Sequence, residues 1–170
     1  YGTANSNQMM MEIMGLHLPG SSFVHPYTEL RDRFTEKAGE QILKFIEPGK
    51  DYRPIGHLVN EKAVVNAMVG LLSTGGSTNH TMHLVAIARM AGIIINWNDF
   101  DNLSKIVPLI AKIYPNSPAD VNQFHAAGGM AFIIRELLDH GLLHGDILTV
   151  GDAHGLRQYA KEADLVDGVL

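Results

Sequence analysis

Residues 74–80 read Thr74-Gly75-Gly76-Ser77-Thr78-Asn79-His80: a glycine pair, then two hydroxyls, an amide and an imidazole. Gly75 and Gly76 permit backbone angles closed to other residues. Ser77, Thr78 and Asn79 can cap a following helix and leave its first N–H groups aimed at a phosphate or carboxylate. The same wording suits a plain corner between helices whose hydroxyls only cap, and one loop does not decide between the two. Two further polar segments precede helices, Gly2-Thr3-Ala4-Asn5-Ser6-Asn7-Gln8 and the run from Asp120 to Gly129. Three such loops are more than corners require, and they point to a polyhydroxylated or anionic ligand.

These loops need elements to hold them. Asn5 or Ser6 is expected to cap a helix through about Met14, apolar nearly all round at Met9, Met10, Met11, Ile13 and Met14 and therefore buried. The methionine cluster reads as adaptable core packing rather than a cofactor box. Thr28 caps a charged amphipathic helix from Glu29 to about Ile46, closed by Pro48-Gly49, and Asn60 caps a run from Glu61 to Leu72. A second apolar helix, Met82 to Met90, stops at Ala91-Gly92. The runs 93–97, 109–113 and 145–150 predict short buried strands, with a short helix near Ser117-Pro118 and a longer one from Gly129 to Asp139 between the last two. The expected fold is α/β, helices layered around a short, mostly parallel sheet, with 1–170 as one domain segment.

Composition removes several function classes. At 170 residues, 46% hydrophobic and 18% charged, the chain suits one globular domain. No apolar run approaches the roughly 18 residues of a membrane span, and no leader is apparent at the start, so a cytoplasmic protein is expected, without membrane contact. A net charge of -5, with 13 Lys and Arg scattered along the chain, offers no basic stripe for nucleic acid. The absence of cysteine excludes disulfides and thiolate ligands from this chain, so any metal cluster must borrow its ligands. The opening at Tyr1, without a Met and in mid-loop, suggests a piece cut from a longer chain.

Nine histidines invite a metal reading: His80 and His83 can share a helix face, and His125, His140 and His144 fall close in sequence. No H-E-x-x-H occurs, so solvated or hydrogen-bonded histidines are preferred and no metal ligand is assigned. The nucleotide-loop patterns G-x-x-x-x-G-K-[ST] and G-x-G-x-x-G are absent. Ser21, Ser22, Ser73 and Ser77 sit in no G-x-S-x-G, and no catalytic residue is assigned.

Four stretches taken together, Tyr1 to Met9, Leu18-Pro19-Gly20-Ser21-Ser22, Thr74 to His80 and His125-Ala126-Ala127-Gly128-Gly129, resemble the dihydroxy-acid and sugar-acid dehydratases. The likeness runs from Tyr1 to about Val150 and fades over 151–170. The wording of residues 1–8, with Ser22 to Pro26 and Ile95 to Phe100, resembles the 6-phosphogluconate branch rather than the branch with a shorter T-A-N-T-M motif. The resemblance implies a segment of a larger N-terminal dehydratase domain. It also implies a hydro-lyase of the Entner-Doudoroff pathway that converts 6-phospho-D-gluconate, a small sugar-acid phosphate, to 2-dehydro-3-deoxy-6-phosphogluconate. A four-iron four-sulfur cluster, with magnesium or a similar divalent cation, would serve it, the ligands and base lying outside this chain. Homodimers are implied too. Thr3, Asn5, Ser6 and Asn7 would then line the cluster-side wall, and Ser77, Thr78, Asn79 and His80 would hold a substrate carboxylate or phosphate. A sibling sugar-acid or dihydroxy-acid dehydratase and a non-catalytic anion-binding module stay open as alternatives.

Overall fold

Met9, Met10, Ile13 and Met14 are fully buried and form the seam on which the central helices pack. The computed structural model describes residues 2–46, 50–151 and 154–161. The seam belongs to α1 (Thr3–Ile13), which runs into Met14 and lies against α4 (Glu61–Ser73), α5 (Asn79–Met90) and α8 (Gly129–Asp139). α4 is apolar on almost every side, burying Ala63, Val64, Ala67, Met68, Val69 and Leu71, as expected of a central helix. It meets α1 closely at Gly70, where a Cβ would fall 2.9 Å from Ile13 Cδ1. α8 adds Ile133, Ile134 and Leu137 and packs on a closing 3-10 turn, Leu156–Ala160. There Tyr159 is buried and its hydroxyl donates to the His17 carbonyl at 2.8 Å.

The caps expected at two helices are present. Thr28 accepts the Arg31 N–H at the head of α2 (Glu29–Phe45), and Asn60 accepts that of Ala63 at the head of α4. α2 buries only Gln41 and Phe45 and carries its charges outward; the Pro48-Gly49 stop lies outside the described residues, as do Tyr1 and 162–170. α3 (Ile55–Leu58), α6 (Trp97–Ser104) and α7 (Val121–Ala126) are short connecting helices. α1 departs from expectation at its start: the helix already begins at Thr3, behind Gly2, so Ser6 sits inside it rather than capping it.

The expected α/β fold with a parallel sheet is not found: the described residues form helices, and none of them forms a β-strand. Each of the three supposed strands fails for its own reason. In 93–97 the Asn96 side chain accepts the Asn98 N–H at 2.8 Å and Asp99 accepts the Asn96 N–H at 2.8 Å, a capping box that starts α6 and leaves Ile94 exposed. In 109–113 the Ile110 and Ala111 amides both turn to one acceptor, the Ser73 carbonyl at the end of α4. The run 145–150 buries alternate side chains, Ile147 and Thr149, but its Val150 amide pairs with the Gly15 carbonyl of a loop. A strand needs a ladder partner, which an apolar run of five residues cannot reveal. The short helix expected near Ser117-Pro118 begins later, at Val121, because Asp120 takes the N–H groups of Asn122 and Gln123.

Candidate functional site

The first turn of α1 and the start of α5 meet, and the hydroxyl loop joins them. The buried Ser6 Oγ accepts the Ser77 N–H at 2.8 Å. Thr3 Oγ1 lies 3.1 Å from Ser77 Oγ and takes the Asn79 side-chain amide at 2.7 Å. Ser77 Oγ in turn accepts the Asn79 backbone N–H at 3.3 Å, so Ser77, one residue ahead of the Thr78 N-cap, both meets the first amide of α5 and reaches across to α1. At Gly75 the backbone has φ +57, a left-handed turn that glycine adopts without strain, and its carbonyl accepts from the Asn116 side chain at 3.1 Å.

Of the residues expected from the sequence, Thr3, Ser6, Ser77 and Asn79 therefore form one hydrogen-bonded group. Asn5 turns away, its side chain accepting the Gly2 N–H at 3.3 Å, and Asn7 and Thr78 are exposed beside the group. The α5 amides are less available than the sequence suggests: those of Asn79, His80 and Thr81 are taken by Ser77 Oγ, the Ser77 carbonyl and the Thr78 carbonyl. What the site presents is side-chain hydroxyl and carboxamide, suited to a ligand that is itself rich in oxygen.

His80 is fully buried. Its ring meets that of His83 edge to face at 4.9 Å, and neither ring nitrogen has a hydrogen-bond partner. Burial lowers its pKa, and His83 adds to the effect. The Thr3 backbone faces the ring and acts weakly in the opposite sense, without reaching hydrogen-bond geometry. The other histidines do not converge with it. His125 lines a separate cavity, His140 Nδ1 lies 2.8 Å from the Glu136 carbonyl, and His144 is exposed.

The remaining two sequence motifs also meet, around a cavity of about 290 Å³. Gly20 and Ser22 of the first motif and His125 and Gly128 of the second line it, with Glu12 at its wall. Glu12 is fully buried and accepts the Gly20 N–H at 2.7 Å, the Ser22 N–H at 3.1 Å and the Ser22 hydroxyl. Burial pushes its carboxyl above the ordinary range, although those three donors pull the other way. Sequence reasoning missed Glu12. The available signal was a single carboxylate among Met9, Met10, Met11, Ile13 and Met14, an unfavourable place for a charge unless something binds it.

Arg53 was missed as well. It is buried, grips Asp51 through two hydrogen bonds of 2.6 and 2.8 Å, donates to the Thr149 and Gly151 carbonyls, and stacks over the Phe45 ring at 4.7 Å. Nothing in its local sequence separates it from an exposed arginine. No helix among the described residues is long and apolar enough to cross a membrane.

With this geometry in view, the chain belongs to the dihydroxy-acid/6-phosphogluconate dehydratase N-terminal family, whose profile matches residues 1–157. It is 57% identical over 167 residues to the phosphogluconate dehydratase of Zymomonas mobilis, covering 98% of this chain and 27% of that protein. Against the phosphogluconate dehydratase of Escherichia coli K12 it is 57% identical over 170 residues, all of this chain and 28% of that protein. The dihydroxy-acid dehydratase of Metallosphaera sedula is 39% identical over 148 residues, 87% of this chain and 26% of that protein. The chain thus spans little more than a quarter of the length of these relatives.

Enzymes of this family use iron-sulfur clusters. The residues present do not fit one as ligands: the sequence has no cysteine, and no group of three or more His, Cys, Asp or Glu among the described residues is placed to hold a metal.

Proposed function

We propose that the protein is a hydro-lyase that removes water from 6-phospho-D-gluconate to give 2-dehydro-3-deoxy-6-phosphogluconate, a step of the Entner-Doudoroff pathway, in the cytoplasm and as a homodimer. The observation that carries this reading is the 57% identity to two phosphogluconate dehydratases across nearly the whole chain, against 39% to a dihydroxy-acid dehydratase. A four-iron four-sulfur cluster and a divalent cation such as magnesium would be held by residues outside this chain.

Dehydration removes a proton beside the carboxylate and a hydroxyl from the next carbon, so the substrate must be held at several oxygens at once. Thr3, Ser77 and Asn79 offer two hydroxyls and a carboxamide in mutual hydrogen-bond contact, fixed from below by Ser6. In this reading Ser77, Thr78 and Asn79 bind a carboxylate or phosphate, with Thr3, Asn5, Ser6 and Asn7 forming the wall toward the cluster; His80, expected from the sequence to join the first three, is fully buried beside them.

The test is anaerobic purification of the full-length enzyme with iron and sulfide analysis, then turnover of 6-phosphogluconate beside a branched dihydroxy acid. Preferred turnover of 6-phosphogluconate supports the proposal. Preferred turnover of the branched acid transfers the protein to the sibling branch, and turnover of neither leaves an anion-binding module.

A further inference from the structure

His80 is the one residue whose buried side-chain nitrogens go unpaired among the described residues. A buried ring with two unmet polar atoms is less stable than a satisfied one, and an apolar side chain would fill the space without that loss. Such an unpaired buried group calls for a partner, and a bound ligand is one that would supply it. Its position supports this: it is the second residue of the 12-residue α5, and Thr3 connects it to the polar group described above. The Thr3 backbone faces the ring, while Thr3 Oγ1 holds the Asn79 side chain at 2.7 Å and approaches Ser77 Oγ at 3.1 Å.

The chemistry of the missing partner follows from the ring's charge. The first turn of α1 contains no acidic residue and the last turn of α4 no basic one, and the titratable neighbour on α5 is His83. Burial and His83 both favour the neutral ring. A neutral imidazole has one N–H to donate and one lone pair to receive. An oxyanion can meet only the first. Adjacent hydroxyls on a carbon chain can meet both, because each hydroxyl donates and accepts.

We propose that His80 is a specificity-determining residue that binds the spare hydroxyls of a polyhydroxylated substrate chain. This rests on the sugar-acid reading above, because dehydration across C2 and C3 leaves the C4 and C5 hydroxyls free for recognition, and a branched dihydroxy acid has none to spare.

The experiment uses the full-length enzyme and its His80→Leu and His80→Gln variants on 6-phosphogluconate and its 4-deoxy and 5-deoxy analogues. For His80→Leu we expect kcat/KM on 6-phosphogluconate to fall about 10-fold or more, mainly through KM. We expect a smaller fall on each deoxy analogue, because each already lacks one of the two contacted hydroxyls, and a Tm equal to or above that of the parent. His80→Gln, which keeps a donor and an acceptor, should recover part of the loss. Equal losses on all three substrates, or no loss on any, would overturn the assignment. Failure of the parent enzyme to turn over 6-phosphogluconate would instead overturn the functional reading beneath it.

Discussion

Thr3 and Asn79 stand 76 residues apart in sequence, yet the Asn79 carboxamide donates to Thr3 Oγ1 at 2.7 Å. That bond ties the first turn of α1 to the first turn of α5, so two polar motifs that look independent in sequence form one surface. Ser6 supports it from beneath through the Ser77 N–H.

Ser6→Ala should therefore weaken the site without touching its exposed face. Losing the acceptor leaves a partly buried N–H unpaired, at a cost of about 1–3 kcal/mol. Thermal unfolding of the full-length enzyme should show a Tm drop of several degrees, and hydrogen exchange should quicken at Ser77 in particular. Unchanged exchange at Ser77 would mean that its amide finds another partner.

A steric test addresses the α1–α4 seam. Gly70→Ala puts a methyl 2.9 Å from Ile13 Cδ1 and should cost about 1–3 kcal/mol through overpacking. Ile13→Val removes that Cδ1, so the double variant should lose less stability than the two single losses added together. Strict additivity in denaturant melts would contradict direct contact between the two positions.

Glu12 sets a pH dependence. Its folded pKa is raised from 4.5, so between 4.5 and that higher value the folded state binds more protons than the unfolded one. Stability from this group is accordingly greatest at low pH and declines as pH rises through that window. Glu12→Gln should flatten that part of the stability profile. It should also lower stability, since the amide can offer only one oxygen to three donors. An unaltered slope in the variant would show that Glu12 does not titrate there.

Arg53→Lys should behave almost as badly as Arg53→Met. A lysine cannot reproduce the two-pronged grip on the half-exposed Asp51 together with both buried backbone contacts, so the Arg53 side of the pair is left with unmet carbonyls, each costing about 1–3 kcal/mol. Urea unfolding of the full-length enzyme with each substitution checks it, a near-native midpoint for the lysine variant being the contrary result.

The helices were legible where side chains announce their own boundaries. Thr28 and Asn60 cap α2 and α4 because their oxygens satisfy a helix N–H within three residues, a purely local matter. The sheet was misread because runs such as Ile93 to Ile95 and Leu109 to Ile113 look like strands locally, although Ile94 and Leu109 are exposed, and whether such a run pairs depends on chain far away in sequence. The same limit applied to the site. The hydroxyl loop could be picked out, but its junction with Thr3 and Ser6, the unpaired ring of His80 and the buried carboxyl of Glu12 arise only from packing.

The central claim is that the Thr3, Ser77 and Asn79 group contacts the substrate of a 6-phosphogluconate dehydratase. The most direct measurement is steady-state kinetics of full-length Ser77→Ala and Asn79→Ala enzymes on 6-phosphogluconate, with iron content and Tm recorded alongside. The account predicts that kcat/KM falls by roughly 10-fold or more in each, with iron content retained. Parent-like kinetics in both variants would contradict it.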